Sequence, residues 1–250
     1  MKRVLLPVFV LAFLAAAAST SQAQGIVPTF HHFDRSEDPE KVVTTLEILV
    51  MLTVMALAPS ILVLTTAFTR IVIVLSFVRR SLGTQDLPPN NIVIGLSLIL
   101  TFMVMGPTIR EIKANAITPY LDSKITQKQA FHEAVEPMRK FMFAQARRKD
   151  VKLFLDITKT PVPQQVKNAD IPTEILVPAF VISELRRAFI MGFAIFLPFL
   201  VIDLVVSTTL ISMGMLVLPP VLISLPFKIL LFILVDGWHL TVGSLVKSFY

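Results

Sequence analysis

PFLVIDLVVSTTLISMGMLVLPPVLISLPFK, residues Pro198 to Lys228, carries two charges, Asp203 and Lys228, one on either side of Gly214 to Pro220. A run this long and this apolar is read as helix, because helices satisfy their own backbone groups where water is scarce. Adjacent prolines at 219 and 220 remove two N–H donors, so one uninterrupted helix is excluded. The stretch predicts two long helices folded into a hairpin, with Gly214 to Pro220 as an irregular corner. Asp203 lies nine residues before Ser212 and Lys228 seven after Val221. At ~1.5 Å per residue the two then sit within ~3 Å of the same depth. They are expected to pair, within the hairpin or between neighbouring subunits. Glu184, Arg186, Arg187 and Asp236 also interrupt this apolar third of the chain, residues 173–250. An ionised side chain at mid-bilayer costs ~2.5–3.5 kcal/mol unless it finds a partner or water. Glu184, Asp203, Lys228 and Asp236 are therefore read as buried charges or subunit contacts, while Arg186 and Arg187 could snorkel from a helix end.

Polar groups and proline breaks of this kind are tolerated at membrane depth only against protein or a water-filled path. The expectation is an oligomer with a lumen, its constriction lined by the corner around Met213 to Val217, with Gly214, Pro219 and Pro220 as hinge. The remaining composition agrees. Of 250 residues, 54% are apolar and 16% charged, with no cysteine, against ~45–50% and ~25% in ordinary soluble domains. So few charges cannot cover a soluble surface, and the absence of cysteine removes disulfides, thiolate metal sites and Cys nucleophiles. Net charge is +6, or 21 − 17 = +4 without Lys2 and Arg3. With no basic run interleaved with aromatics, nucleic acid is not an expected partner.

Residues 110–172 are different, with twelve Lys or Arg and seven Asp or Glu. Phe131, Val135, Met138 and Met142 recur at helical spacing. Glu136-Pro137 is expected to open a helix, and Asp150 to cap a short one over Val151 to Ile157 with Leu153, Phe154 and Ile157 on one side. This reads as a helical periplasmic insertion. Before it, 22 uncharged residues separate Glu47 from Arg70 and 23 separate Asp86 from Arg110, two candidate spans in an apolar hairpin over residues 46–109. Arg70, Arg79 and Arg80 place their connector on the cytoplasmic side by the positive-inside rule. Residues 1–23 have the basic, apolar, small-residue order of a signal peptide, cleaved after Ala23, and residues 24–45 form a polar linker in which His31 and His32 are read as solvated. The fold class expected is all-α: a membrane-associated oligomer of long broken helices and helical hairpins with a small helical insertion.

Catalytic constellations are missing. There is no G-x-x-x-x-G-K, G-x-G-x-x-G, H-E-x-x-H or G-x-S-x-G in the chain. Neither an enzyme, a cofactor nor a metal is expected.

Several stretches carry a resemblance: Phe68-Thr69-Arg70-Ile71, Leu82-Gly83-Thr84, Pro88-Pro89-Asn90, Pro178 to Leu185, Pro198 to Leu204, Leu225-Pro226-Phe227-Lys228, Val235-Asp236-Gly237-Trp238 and Ser248-Phe249-Tyr250. In this order and spacing, from about Leu46 onward, the sequence resembles the FliP family of flagellar type III export-gate proteins. The resemblance implies about five copies joined with FliQ-like and FliR-like small membrane proteins in a closed pore, alongside FlhB-like and FlhA-like export components. It implies a place in the flagellar basal body at the inner membrane, largely above the membrane plane, and passage of unfolded flagellar polypeptides. It also implies a methionine-rich gasket after a glycine. The matching residues are Met215, Leu216 and Val217 after Gly214, of which only Met215 is a methionine. Injectisome export-gate proteins share the fold, but the leader favours the flagellar branch. A small-solute permease or channel would share the hydropathy; the internal repeats expected of many transporters are not seen.

Overall fold

The computed structural model describes residues 39–84, 87–159, 171–215 and 218–250. The Ala23 cleavage site, His31, His32, Asp86, Leu216 and Val217 lie outside the described residues. The described elements are helical throughout. The chain forms two compact units, residues 1–54 and 55–250. Helix α1 (Pro39–Thr65) begins in the first, and Leu46–Thr65 is apolar and long enough to cross a membrane.

In the second unit, α2 (Phe68–Ser81) packs along α8 (Thr173–Ser212). The residue spacing explains why: Ala67, Ile71, Val74, Leu75 and Val78 fall on one face and are almost fully buried. Arg70 lies on α2 and is itself fully buried. The stretch read as a connector between two spans is thus largely a core helix, and residues 46–109 form more than a two-helix hairpin. A lone cation flanked by Phe68-Thr69 and Ile71-Val72 follows its helix inward once it has a partner there. Gly83, at φ +72°, turns the chain into α3 (Asn90–Val104), which returns along α2 through Val93, Ser97, Leu100 and Val104.

Helix α3 then bends by 58° into α4 (Gly106–Ile112), a π-turn (Lys113–Ile117) and α5 (Thr118–Leu121). Helix α6 (Gln127–Gln145) opens on a capping box, with Thr126 and Gln129 exchanging side-chain and backbone bonds. Pro137 therefore does not open a helix but sits buried inside one. Met142 is buried and Met138 packs on the core, whereas Phe131 is exposed. Helix α7 (Arg148–Thr158) starts earlier than expected because Asp150, in its first turn, holds Arg147 rather than capping Val151. The face it buries against Ile171, Ile175 and Ala179 of the next segment is Val151 and Leu155, leaving Leu153 and Ile157 exposed.

Helix α8 runs 40 residues, through Pro178 and Pro198, and ends at Ser212. Pro219 and Pro220 then open α9 (Pro220–Leu234), where the missing N–H groups would be unpaired anyway. The returning limb breaks again: α10 (Gly237–Lys247) leaves α9 at 63°. Asp236 takes φ +49° at that bend, and Gly237 lies so near the Phe232 ring that a Cβ there would be 2.2 Å from Cδ2.

Candidate functional site

Two polar layers and one apolar corner stand out from the hydrocarbon surface of the second unit. The first layer is centred on Arg70. Its Nε donates to Glu184 Oε2 at 2.8 Å and its Nη2 to Glu184 Oε1. Nη2 also donates to Gln145 Oε1 at 2.9 Å, while Nη1 donates to the Ser248 carbonyl and hydroxyl at 2.9 and 2.8 Å. All five N–H groups of the guanidinium are thereby matched, and its carbon lies 3.8 Å from the Phe249 ring centroid. Arg70 and Glu184 are both fully buried, and such a pair is tolerable only with this degree of satisfaction.

Around this pair the layer widens. Gln145 Oε1 also accepts from Arg187 Nη1 at 2.6 Å, and Gln145 Nε2 donates to the Phe249 carbonyl at 2.9 Å. Ser183, one residue before Glu184, donates to Asp150 Oδ2 at 2.5 Å and accepts from the Arg147 backbone N–H at 3.0 Å. Asp150 in turn holds Arg147 through two bonds of 2.8 and 2.6 Å. Five separate segments meet here: α2, the end of α6, the start of α7, α8 and the C-terminal residues. Among the described residues, no buried side-chain nitrogen or oxygen lacks a partner.

The second layer is smaller. Lys228 Nζ donates to Asp203 Oδ2 at 2.6 Å, and Ser224 Oγ donates to the other carboxylate oxygen at 2.6 Å. Lys228 is buried, with its side chain only 4% exposed, whereas that of Asp203 is 34% exposed. The pair lies within one chain, across the α8–α9 hairpin, at the depth match that the residue count predicts. Gly83 closes the site from the α2–α3 turn, where a Cβ would lie 3.4 Å from Lys228 Nζ.

Beyond this pair comes the corner. Gly214 has φ +73° and space around it, and Met215, beside it, is 41% exposed. Leu218, Val221 and Leu222 are exposed as well. Asp236, grouped with the buried charges on sequence, is instead exposed, because the α9–α10 bend turns it outward. Arg186 is exposed, and Arg187 is drawn in by Gln145.

Arg70 was the residue that counting uncharged runs concealed. Taken as the end of a span, it looks like a flanking charge, yet it is the sole charge from Ile48 to Val78. A lone charge so placed signals a buried partner. Gln145 and Ser248 gave no such signal, since a glutamine after Met-Phe-Ala and a serine near a terminus look ordinary. Among the described residues no group of three or more His, Cys, Asp or Glu is arranged to hold a metal ion.

The model of the FliP family matches residues 51–245, a range that contains both ion pairs and the corner. The chain belongs to the FliP family. It is 56% identical over 214 residues to the flagellar biosynthetic protein FliP of Bacillus subtilis, covering 86% of this chain and 96% of that one. The FliP of Caulobacter vibrioides is 50% identical over 199 residues, 80% of this chain and 74% of the relative. With the FliP of Borreliella burgdorferi the identity is 41% over 250 residues, 96% of this chain and 97% of the relative.

Proposed function

We propose that this FliP-family chain is a pore-forming subunit of the flagellar type III export gate, passing unfolded flagellar polypeptides across the inner membrane. It acts by assembly rather than by catalysis. About five copies join FliQ-like and FliR-like proteins, with FlhB-like and FlhA-like components alongside, and residues 110–172 face the periplasm. The observation that carries this reading is the corner. The hairpin is pinned by Asp203 and Lys228, and beyond the pin the chain presents an apolar turn with no polar side chain from Met213 to Val221. Such a ring excludes ions when several copies close around an axis, yet offers no hydrogen-bond code that would select one polypeptide sequence. Flexible Met215 and its neighbours Leu216 and Val217 form the seal, while Gly214, Pro219 and Pro220 set its shape.

Replacing Met215, Leu216 and Val217 together by alanine widens the ring and spares the backbone corner. The assembled variant is expected to leak small ions, read as bilayer conductance or salt-sensitive growth. An assembled variant as tight as the parent, with ordinary export of flagellar protein, would place the seal in another subunit and refute this role for the corner.

A further inference from the structure

The two polar layers act as a ruler. Along α8, Glu184 and Asp203 are 19 residues apart, about 28 Å of helix, and along α2 Arg70 is 11 residues, about 16 Å, from Ser81, just before the Gly83 turn. Between the layers the exposed faces of α8 and α3 are hydrocarbon. Phe189, Ile190, Phe193 and Leu197 of α8 are exposed there, as are Ile99 and Phe102 of α3. Measured along α8, this band approaches the ~30 Å of a bilayer interior.

Both rims are cationic. Arg148 and Lys149 follow Arg147 in the first turn of α7, Arg186 stands beside Arg187, and Lys247 precedes Ser248, so all four lie within about a turn of the Arg70 layer. All four are exposed, and none is ion-paired among the described residues. The carboxylates at that level, Glu184 and Asp150, are buried and already engaged by Arg70 and Arg147. Tyr250, 80% exposed, adds an aromatic at the same rim, where such rings prefer the headgroup region. At the other rim stand Arg79 and Arg80, near the Gly83 turn.

We propose that the chain, before it joins further copies, lies across a bilayer with its Arg70 layer at one headgroup region, where Arg148, Lys149, Arg186 and Lys247 bind anionic phospholipid. The commitment to lipid rests on the match of the α8 band to a bilayer and on a surplus of exposed cations over the acids at that rim. The Asp203–Lys228 pair then sits near the opposite headgroups rather than at mid-membrane. The apolar corner projects beyond it by the eight residues from Pro220 to Lys228, about 12 Å, into a region where only protein can cover it. Asp236, exposed at the α9–α10 bend, is the charge this placement must accommodate. That cost is smaller than leaving the whole band in water.

The full chain offers its own depth probe, since Trp238 is the only tryptophan. It lies nine residues below Lys247 on α10, about 13 Å, and its ring is 5.4 Å from that of Phe232. After reconstitution of the full chain, its fluorescence is expected to be quenched most by phosphatidylcholine brominated near the acyl midpoint. Partitioning between phosphatidylglycerol-containing and pure phosphatidylcholine vesicles tests the charges. Each cation near an anionic surface contributes about fivefold at low salt. The parent should favour phosphatidylglycerol, lose that preference as salt rises, and lose it at low salt in R148Q/K149Q/R186Q/K247Q. Should that variant misfold, the salt titration of the parent decides alone. Absence of preference in the parent, a preference insensitive to salt, one kept by a folded variant, or quenching strongest near the glycerol would each overturn the proposal.

Discussion

Glu184→Gln changes one atom of the molecule and should be among its most damaging substitutions. Gln keeps the shape of the carboxylate but presents an amide N–H where Arg70 also presents N–H groups. At least one bond of the matched set is lost, and Arg70, fully buried, keeps its charge with no counter-ion. Arg187 Nη1, 4.0 Å from the same carboxylate, makes the local excess worse. Breaking a buried pair on one side costs ~3–5 kcal/mol. At ~2–4 °C per kcal/mol for a chain of this size, the apparent melting temperature in detergent should fall by roughly 6–20 °C. Removing both charges is a different perturbation, because no orphan remains. Arg70→Met/Glu184→Met should recover at least half of the loss, although Gln145 and Ser248 lose a donor each. The assay is thermal unfolding of the purified chain, parent and variants in the same detergent. A Glu184→Gln protein melting within about 2 °C of the parent would show that the layer does not depend on the pair. A double variant as unstable as the sum of its singles would show that the charges do not act on each other.

Three further outcomes follow from neighbouring geometry. Lys228→Met should cost less than the Glu184 substitution, about 1–3 kcal/mol, because the Asp203 left behind is one-third exposed and finds water; a double-mutant cycle in thermal unfolding should return a favourable coupling energy. Gly237→Ala drives a methyl into the Phe232 ring, an overpacking of ~1–3 kcal/mol, and should shift Trp238 emission because the two rings touch; Phe232→Leu should restore part of the stability. Deleting Ser248 to Tyr250 takes two acceptors and an aromatic face from Arg70, and should expose the α6–α7 junction to proteolysis, measured as new cleavage near Arg147 and Arg148.

The hairpin was legible because prolines and charges are strong local signals. Pro219 and Pro220 can only start a helix, and two opposite charges, nine residues before Ser212 on one side of the corner and seven after Val221 on the other, are matched in depth by counting. Elsewhere the same counting misled. Splitting the run at Arg70 assumed that a charge marks an interface, whereas this one found Glu184, 114 positions away in the chain. The α6 start was misread for a related reason. Pro137 is favourable at a first turn, but the Thr126–Gln129 box satisfies the orphan N–H groups ten residues earlier, and the helix absorbs the proline. The buried faces of α7 depend on which side meets the start of α8, a fact no local pattern holds.

Register explains why the fold places its charges where it does. Apolar helices in an apolar solvent gain little by choosing one neighbour position over another one turn away, since lipid covers Leu and Ile as well as another helix does. A charge pair removes that freedom, because sliding α9 by a turn along α8 would draw Lys228 from Asp203 by ~5.4 Å and strand both. The Arg70 layer does the same for segments far apart in sequence, joining α2 and α8 to the end of α6 and to Ser248-Phe249 in one hydrogen-bonded set. Gly83, against the Lys228 ammonium, ties the α2–α3 turn to the second pair without adding a charge of its own. Between these two fixed levels the α8 surface can stay uniformly apolar and still be held at one height, which is what a subunit needs if its corner is to meet its copies at a common ring.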